Sequence, residues 1–217
     1  MKKTYLLLLI IGFTCTSQIK YGFKGGLNLT NADTGFQLLN QTFGLATTAK
    51  PSFYLGGFSE IPFKKNKKFA LQIELLFNQN GTSIDKKSID QSTEIDYETN
   101  GGKINVSQLD VPVLLKFYAK KNFSINFGLY TGYVIGINTK NSNGTKSNVD
   151  GSDINRFDYG FIVGASYYFK NNLFLEFKYN NGLSDLDNTK QSDPFIGDIK
   201  SFYKNRTLHF GIGYKLN

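Results

Sequence analysis

The sequence predicts an all-β fold, an eight-stranded antiparallel up-and-down barrel, from three observations. Period-two alternation of apolar and polar residues dominates after Gln18, and no 3.6-residue period runs for any length. The 217 residues include 20 Phe, 13 Tyr and 22 Gly but only one Cys, one Met and one His, which favours β structure over thiol or metal chemistry. Short and long connections alternate along the chain. With 40% apolar and 19% charged residues, the chain is too polar for a helical membrane bundle and too apolar for disorder.

Residues 1–17 are predicted to be a secretory signal peptide, and residues 18–217 to be one barrel domain. A basic start with two lysines precedes the apolar run Tyr5–Phe13, which is too short to span a bilayer as a helix. Small residues follow, with Cys15 and Ser17 at the −3 and −1 positions of the expected cleavage site. A lipoprotein interpretation, with Cys15 itself at the cleavage site, fits the residues before it poorly. Cleavage would leave a mature chain without cysteine.

Eight segments of alternating character follow, each with an apolar face and a polar face. They are Ile19–Thr30, Phe53–Phe63, Phe69–Gly81, Ile104–Tyr118, Phe123–Ile137, Phe157–Phe169, Leu173–Leu183 and Arg206–Leu216. A tilted strand needs about 9–11 residues to cross the apolar zone of a membrane, so each segment is long enough to do so.

The connections between these segments alternate in length. The short turns are Lys64–Lys68, Ala119–Asn122 and Lys170–Asn172, and the long polar loops are residues 31–50, 82–103, 138–155 and 184–203. Tight turns at one end and long loops at the other are the layout of a small outer-membrane barrel. We therefore expect a transmembrane barrel with four long extracellular loops and short periplasmic turns.

The charged residues give an independent test, because the apolar residues alone set the phase of each strand. Of the 17 acidic residues, 12 fall in the four long loops, and the other five lie opposite the apolar face of their strand. A Lys or Arg facing lipid at mid-bilayer would cost about 2–4 kcal/mol, so these charges are expected inside the barrel. The predicted polar network of the lumen comprises Glu60, Glu74, Asp110, Lys116, Asp158, Glu176, Lys178 and His209, with Tyr130 and Tyr168 beside it.

Alternation alone does not distinguish this arrangement from a soluble barrel or sandwich with an apolar core. Three features favour apolar side chains on the outside. Glycines cluster on the polar face, where a narrow interior needs small residues. Large aromatic residues lie near the strand ends of the apolar face, as interfacial girdles do. The third feature is the alternation of short and long connections.

The sequence offers few candidates for catalysis or ligand binding. His209 inside a barrel could act as an acid or base, but no nucleophile or second carboxylate can be placed in register with it, so we expect no enzyme and no catalytic residue. Asp150–Asp153 and Asp185–Asp187 lack the spacing of a Ca²⁺ loop and are interpreted as solvated loops, so no metal and no cofactor is expected. The basic turns favour contact with anionic lipid headgroups over nucleic acid. Pro112 predicts a β-bulge nearby.

Six short segments are distinctive in their order and spacing: Gly22–Asn31, Gly57–Pro62, Leu71–Phe77, Leu109–Lys116, Phe157–Gly160 and Glu176–Leu183. Together they resemble the PorT-like outer-membrane β-barrel family of Bacteroidetes. The resemblance implies an eight-stranded outer-membrane barrel and, for most members, no defined biochemical activity. One branch of that family takes part in type IX protein secretion, and nothing in this sequence selects that branch. The chain departs from many outer-membrane barrels by ending in Asn217 instead of an aromatic residue.

The expected function is a structural or interaction role in the outer membrane. An eight-stranded interior is just wide enough to be filled by side chains, so a porin-like chain of this size should conduct little solute. The expected partners are outer-membrane lipid and, at the long loops, an envelope protein or a polysaccharide, with the chain a monomer. Two alternatives remain open, a narrow channel or component of a secretion machinery, and a soluble lipocalin-like carrier barrel.

The membrane interpretation predicts where the protein fractionates. After cell lysis without detergent, the chain should sediment with the membranes, and its folded form should migrate differently on a gel before and after boiling. Recovery in the supernatant would instead indicate a soluble carrier.

Overall fold

The computed structural model describes residues 19–38, 41–84, 87–89, 96–98, 102–141, 145–148, 154–187, 190–193 and 197–216. The predicted signal peptide lies outside these residues. The strands are β1 (Lys20–Leu38), β2 (Gln41–Gly44), β3 (Thr47–Thr48), β4 (Lys50–Pro62), β5 (Phe69–Ile84), β6 (Lys87–Ile89), β7 (Asp96–Glu98), β8 (Gly102–Lys120), β9 (Phe123–Asn141), β10 (Lys146–Asn148), β11 (Phe157–Tyr168), β12 (Leu173–Gly182), β13 (Lys190–Asp193) and β14 (Gly197–Lys215). Within the described residues, no helix is long and apolar enough to cross a bilayer.

Eight of these strands form a closed ring of antiparallel pairs. The order around the ring is β1, β4, β5, β8, β9, β11, β12 and β14, and β14 pairs back to β1. The closing ladder is continuous from Gly22 opposite Lys215 to Leu38 opposite Ile199. Each ring strand therefore lies beside the ring strands that precede and follow it in the chain. Because the ring is closed, each of these eight strands has a paired neighbour on both sides. A β-sheet within lipid satisfies its backbone hydrogen-bonding groups in this way.

The ring strands correspond to the eight predicted segments, but most extend farther than predicted. β1 continues to Leu38 and β9 to Asn141, while β14 begins at Gly197, so parts of the predicted loops 31–50, 138–155 and 184–203 are strand. The short strands β2, β10 and β13 pair onto these extensions, and β3 pairs onto the end of β5. The prediction failed here for a physical reason. Beyond the apolar zone both faces of a strand can be polar, so backbone pairing continues after the alternation has ended.

The β-bulge expected beside Pro112 is not there. Pro112 lies opposite Tyr130 in an unbroken stretch of the β8–β9 ladder, and the register shifts lie elsewhere, between Ser107 and Gln108 and near Tyr118. On the other side of β8, Val113 pairs with Ile73 and Asp110 pairs with Leu76, but the two residues between them, Val111 and Pro112, are not paired with β5. The missing proline N–H is thus accommodated by a local loss of pairing with β5, without a shift of register.

The two faces of the ring differ sharply in polarity. Outward side chains are large and apolar, as in Leu27 (68% exposed), Phe23 (64%) and Leu129 (63%). Inward positions carry charged, amide and hydroxyl groups, and Glu74 and Lys178 are at most 1% exposed. This is the orientation that the alternation and the charges predicted. The interior is polar, whereas a lipocalin-like carrier needs an apolar cavity.

Inward glycines make room for the rings that cross the narrow interior. A Cβ atom on Gly211 would overlap the hydroxyl of Tyr54, and a Cβ atom on Gly213 would overlap the ring of Phe174. Tyr54 and Phe174 are almost fully buried, at 1% and 0% exposure, so neither ring has open space to move into. Gly211 and Gly213 are therefore required by packing.

Replacing Gly211 with Ala should destabilise the barrel by about 1–3 kcal/mol, because the added methyl group overpacks the site against Tyr54. Urea unfolding of the refolded protein, followed by gel migration without boiling, measures this loss. The matched control is Gly136→Ala on β9, where nothing lies within 4 Å of the added Cβ atom. An equal loss in both variants would contradict the packing explanation.

Candidate functional site in the barrel interior

The centre of the barrel is crossed by a square of four alternating charges, here called the charge quartet. Its members are Lys24 of β1, Glu74 of β5, and Glu176 and Lys178 of β12. Lys24 Nζ lies 2.5 Å from Glu74 Oε1 and 2.9 Å from Glu176 Oε1. Lys178 Nζ lies 3.0 Å from Glu74 Oε2 and 3.1 Å from Glu176 Oε1. Each lysine thus bridges both glutamates, and all four side chains are essentially inaccessible to solvent. The quartet links strands on different sides of the ring and lies across the bore.

A second cluster lies nearer the short turns. Glu60 Oε2 is 3.1 Å from Lys116 Nζ and 3.1 Å from Lys215 Nζ, and it accepts a 2.8 Å hydrogen bond from the hydroxyl of Tyr118. Lys116 also donates to Tyr168 and, over 2.7 Å, to the amide oxygen of Gln72. Because Lys116 Nζ is held by several acceptors, a buried ammonium group is stable here.

A third layer, nearer the loops, contains two carboxylates among amides and hydroxyls. Asp158 Oδ2 accepts hydrogen bonds from Gln108 (3.0 Å), Asn205 (2.9 Å) and Tyr130 (3.3 Å). Its other oxygen accepts from Ser184, and Asp110 accepts from Asn78. Within the described part of the chain, neither aspartate forms an ion pair. The hydrogen-bond donors to the carboxyl groups of this layer are therefore all neutral.

His209 is buried between these layers and contacts an aromatic ring. Its ring packs edge-on against Tyr54, with ring centroids 5.0 Å apart. Neither ring nitrogen has a hydrogen-bond partner among the residues that the structure describes. A general base must reach the proton that it abstracts and is normally oriented by a second group. The described surroundings of His209 provide packing and no such partner.

An apolar layer closes the interior at the loop end. It consists of Ala32, Val106, Val134, Ile154, Leu186 and Tyr203, each at most 9% exposed. Sequence reasoning missed this layer because four of its members lie in segments that were predicted to be loops. The available signal was weak, since β1, β8, β9 and β14 each contribute only one of these residues, and Ile154 and Leu186 lie outside the strands.

All eight residues of the predicted lumen network are buried, between 0% and 4% exposed. The structure brings seven of them into the two ion-pair clusters and the aspartate layer: Glu60, Glu74, Lys116, Glu176 and Lys178 form ion pairs, and Asp158 and Asp110 accept hydrogen bonds from neutral donors. Among the described residues, His209 contacts the ring of Tyr54 and has no hydrogen-bond partner. The predicted network omitted Lys24 and Lys215, which are also buried inside the barrel. Their partners could not be identified from sequence because cross-barrel contacts depend on strand stagger.

The described residues do not offer a metal centre. They contain no group of three or more His, Cys, Asp or Glu side chains that could hold a metal ion. Asp150–Asp153 lies outside the described residues. At the other loop candidate, Asp185 Oδ1 accepts backbone N–H groups of Tyr203 (2.8 Å) and Asp187 (3.2 Å), so that oxygen already has donors.

Comparison with solved structures finds outer-membrane proteins whose fold is similar over most of the length of this chain. The Ail protein of Yersinia pestis, crystallised with the heparin analogue sucrose octasulfate, is 13% identical with a TM-score of 0.43, covering 91% of this chain and 99% of that one. OprG of Pseudomonas aeruginosa is 14% identical with a TM-score of 0.48, covering 93% and 97%. The neisserial surface protein NspA is 11% identical with a TM-score of 0.48, covering 89% and 96%. No curated protein sequence matches the chain.

A protein-family model identifies the family to which the chain belongs. The model described as the outer membrane protein beta-barrel domain matches residues 14–188, which is most of the chain. This match agrees with the closed antiparallel ring, its apolar exterior and its charged interior. The chain belongs to the outer membrane protein β-barrel domain family and is a protein of the outer membrane.

Proposed function

We propose that this protein is an eight-stranded transmembrane barrel with a plugged lumen, which acts through the loops on its extracellular side and not by conducting solutes. The observation that carries the proposal is the charge quartet, in which four buried side chains from three strands bind one another across the bore. The short turns face the periplasm, and residues 18–217 form one monomeric barrel domain.

The interior is obstructed at several levels, which supports a plugged state. From the short turns to the loops, the interior contains in turn the cluster around Glu60, the charge quartet, the layer that holds Asp110 and Asp158, and the apolar layer. A solute would have to displace ion pairs whose members are 0–1% exposed in their side chains. Breaking a buried pair leaves an uncompensated charge, which costs several kcal/mol. The described interior therefore favours a closed state over a narrow channel.

The extracellular loops are then the surface available for an interaction outside the cell. The outer face of the ring is apolar and suited to lipid, so on the extracellular side the loops carry the polar groups that a soluble partner can contact. The loops are rich in Asn, Asp, Ser and Thr and contain most of the acidic residues. Such a surface fits an envelope protein or a polysaccharide. We propose no catalytic role, because His209 packs against Tyr54 without a described hydrogen-bond partner.

Within the family, we propose that the chain is a PorT-like barrel. The segments that carry the resemblance fall on consecutive ring strands, with Gly22–Asn31 on β1, Gly57–Pro62 on β4, Leu71–Phe77 on β5 and Leu109–Lys116 on β8. An alignment with PorT-like chains should place these four segments on the same four strands. Placement on other strands would reject this assignment.

The plugged lumen predicts the conductance of the protein in planar bilayers. The wild type should show no open-channel conductance, and the double variant Glu74→Ala with Lys116→Ala should show an increase, because it removes one charge from each of the two ion-pair clusters. The matched control is Lys64→Ala with Lys65→Ala, which removes two charges from an exposed turn. Nanosiemens-level conductance of the wild type would contradict the proposal.

The same network predicts a stability effect. Lys24→Met should destabilise the barrel by about 3–5 kcal/mol, because Glu74 and Glu176 are left with one shared ammonium group in a buried site. Urea unfolding in micelles measures the change. The control is Arg206→Met, since the Arg206–Asp33 pair is about half exposed and should contribute less than about 1 kcal/mol. Similar losses for the two variants would show that burial does not determine the strength of these pairs.

A further inference from the structure

A cavity of about 570 Å³ lies at the short-turn end of the barrel. Its lining residues come from β1, β4, β8, β11 and β14 and from the turns between ring strands, so it lies at the mouth of the ring and not on the lipid-facing wall. Six lysines line it: Lys20, Lys67, Lys68, Lys120, Lys121 and Lys215. The volume is within the range of small-molecule sites, about 300–1,000 Å³. We refer to this cavity as the basic mouth.

The positive charge of the basic mouth is not balanced by its lining. Glu60 is the one carboxylate among the described lining residues, and it already binds Lys116 and Lys215. Among the residues that the structure describes, Lys20, Lys67, Lys68, Lys120 and Lys121 form no ion pair. Five ammonium groups around one opening repel one another, and an anion bound between them would relieve this repulsion.

The floor of the basic mouth is more buried than its rim. The side chain of Lys215 is 11% exposed, and its Nζ lies 4.3 Å from the ring centroid of Tyr168. The same Nζ is 3.1 Å from the hydroxyl of Tyr118. The Tyr118 and Tyr168 rings contact each other, with centroids 5.6 Å apart. The site thus has a cationic floor held by Glu60 and two tyrosines, and a rim whose lysines Lys67, Lys68, Lys120 and Lys121 are exposed to a ligand.

We propose that the basic mouth binds a soluble phosphate-containing anion that carries more than one negative charge. The anion would enter from the aqueous side of the short turns. Lysine ammonium groups are compact point charges that suit phosphate oxygens. No arginine is among the described lining residues, so the two parallel hydrogen bonds by which a guanidinium group binds one carboxylate are not offered there. A lipid headgroup would approach the outer wall of the barrel, whereas this cavity opens within the ring. The site lies opposite the loops and does not depend on the proposed loop function.

The test uses tripolyphosphate and the full-length mature barrel in phosphatidylcholine nanodiscs, with binding followed by calorimetry. The wild type should bind, and its affinity should fall as NaCl shortens the screening length. Lys67→Ala with Lys68→Ala should weaken binding about tenfold, since two phosphate contacts are lost. The matched control is Lys64→Ala with Lys65→Ala, which removes the same charge from the same turn at residues that do not line the cavity and should change affinity less than about twofold.

Three outcomes would overturn the proposal. The first is no binding of tripolyphosphate to the wild type. The second is an equal loss in both double variants, which would mean that only net charge matters. The third is an effect of Lys67→Ala with Lys68→Ala that appears only in nanodiscs containing phosphatidylglycerol, which would assign these lysines to lipid headgroups. Gel migration before boiling confirms that each variant is folded.

Discussion

The structure depends on one constraint, the exclusion of charged side chains from the hydrocarbon that surrounds the ring. Each ring strand has lipid on one face, so its ionisable residues must turn inward, where a bore of eight strands holds little water. Buried charges are tolerated only with partners, and the quartet of Lys24, Glu74, Glu176 and Lys178 provides them. The polar core is therefore a consequence of the apolar exterior.

A narrow interior also has to fit large side chains, and the glycines make this possible. Tyr54 and Phe174 lie over Gly211 and Gly213, so rings and backbone share the same layer of the bore. This packing and the ion pairs act together. The hydroxyl of Tyr54 lies 3.4 Å from Glu176 Oε1, and the Phe58 ring lies 5.9 Å from Lys24 Nζ. Aromatic groups thus surround the charge quartet and exclude water from it.

The sequence predicted the strands, their orientation and the eight buried lumen residues, because lipid on one side forces a strict alternation over these segments. It failed where that force ends. The strand extension to Leu38 and the inward residues Ile154 and Leu186 lie beyond the alternating segments, and only backbone pairing and loop packing place them. Partners such as Lys24 and Glu176 could not be predicted either, because they depend on the stagger of strands that are distant in the chain.

The charge quartet has a consequence for how the barrel assembles. Lys24 is 152 residues from Glu176 and 50 from Glu74, so its partners meet only when the first and last parts of the chain have come together. A half-inserted sheet would expose these ammonium and carboxylate groups to acyl chains without their neighbours. Such a species is costly, so the seam between the first and last strands should join in the same cooperative step that moves the hairpins into the bilayer.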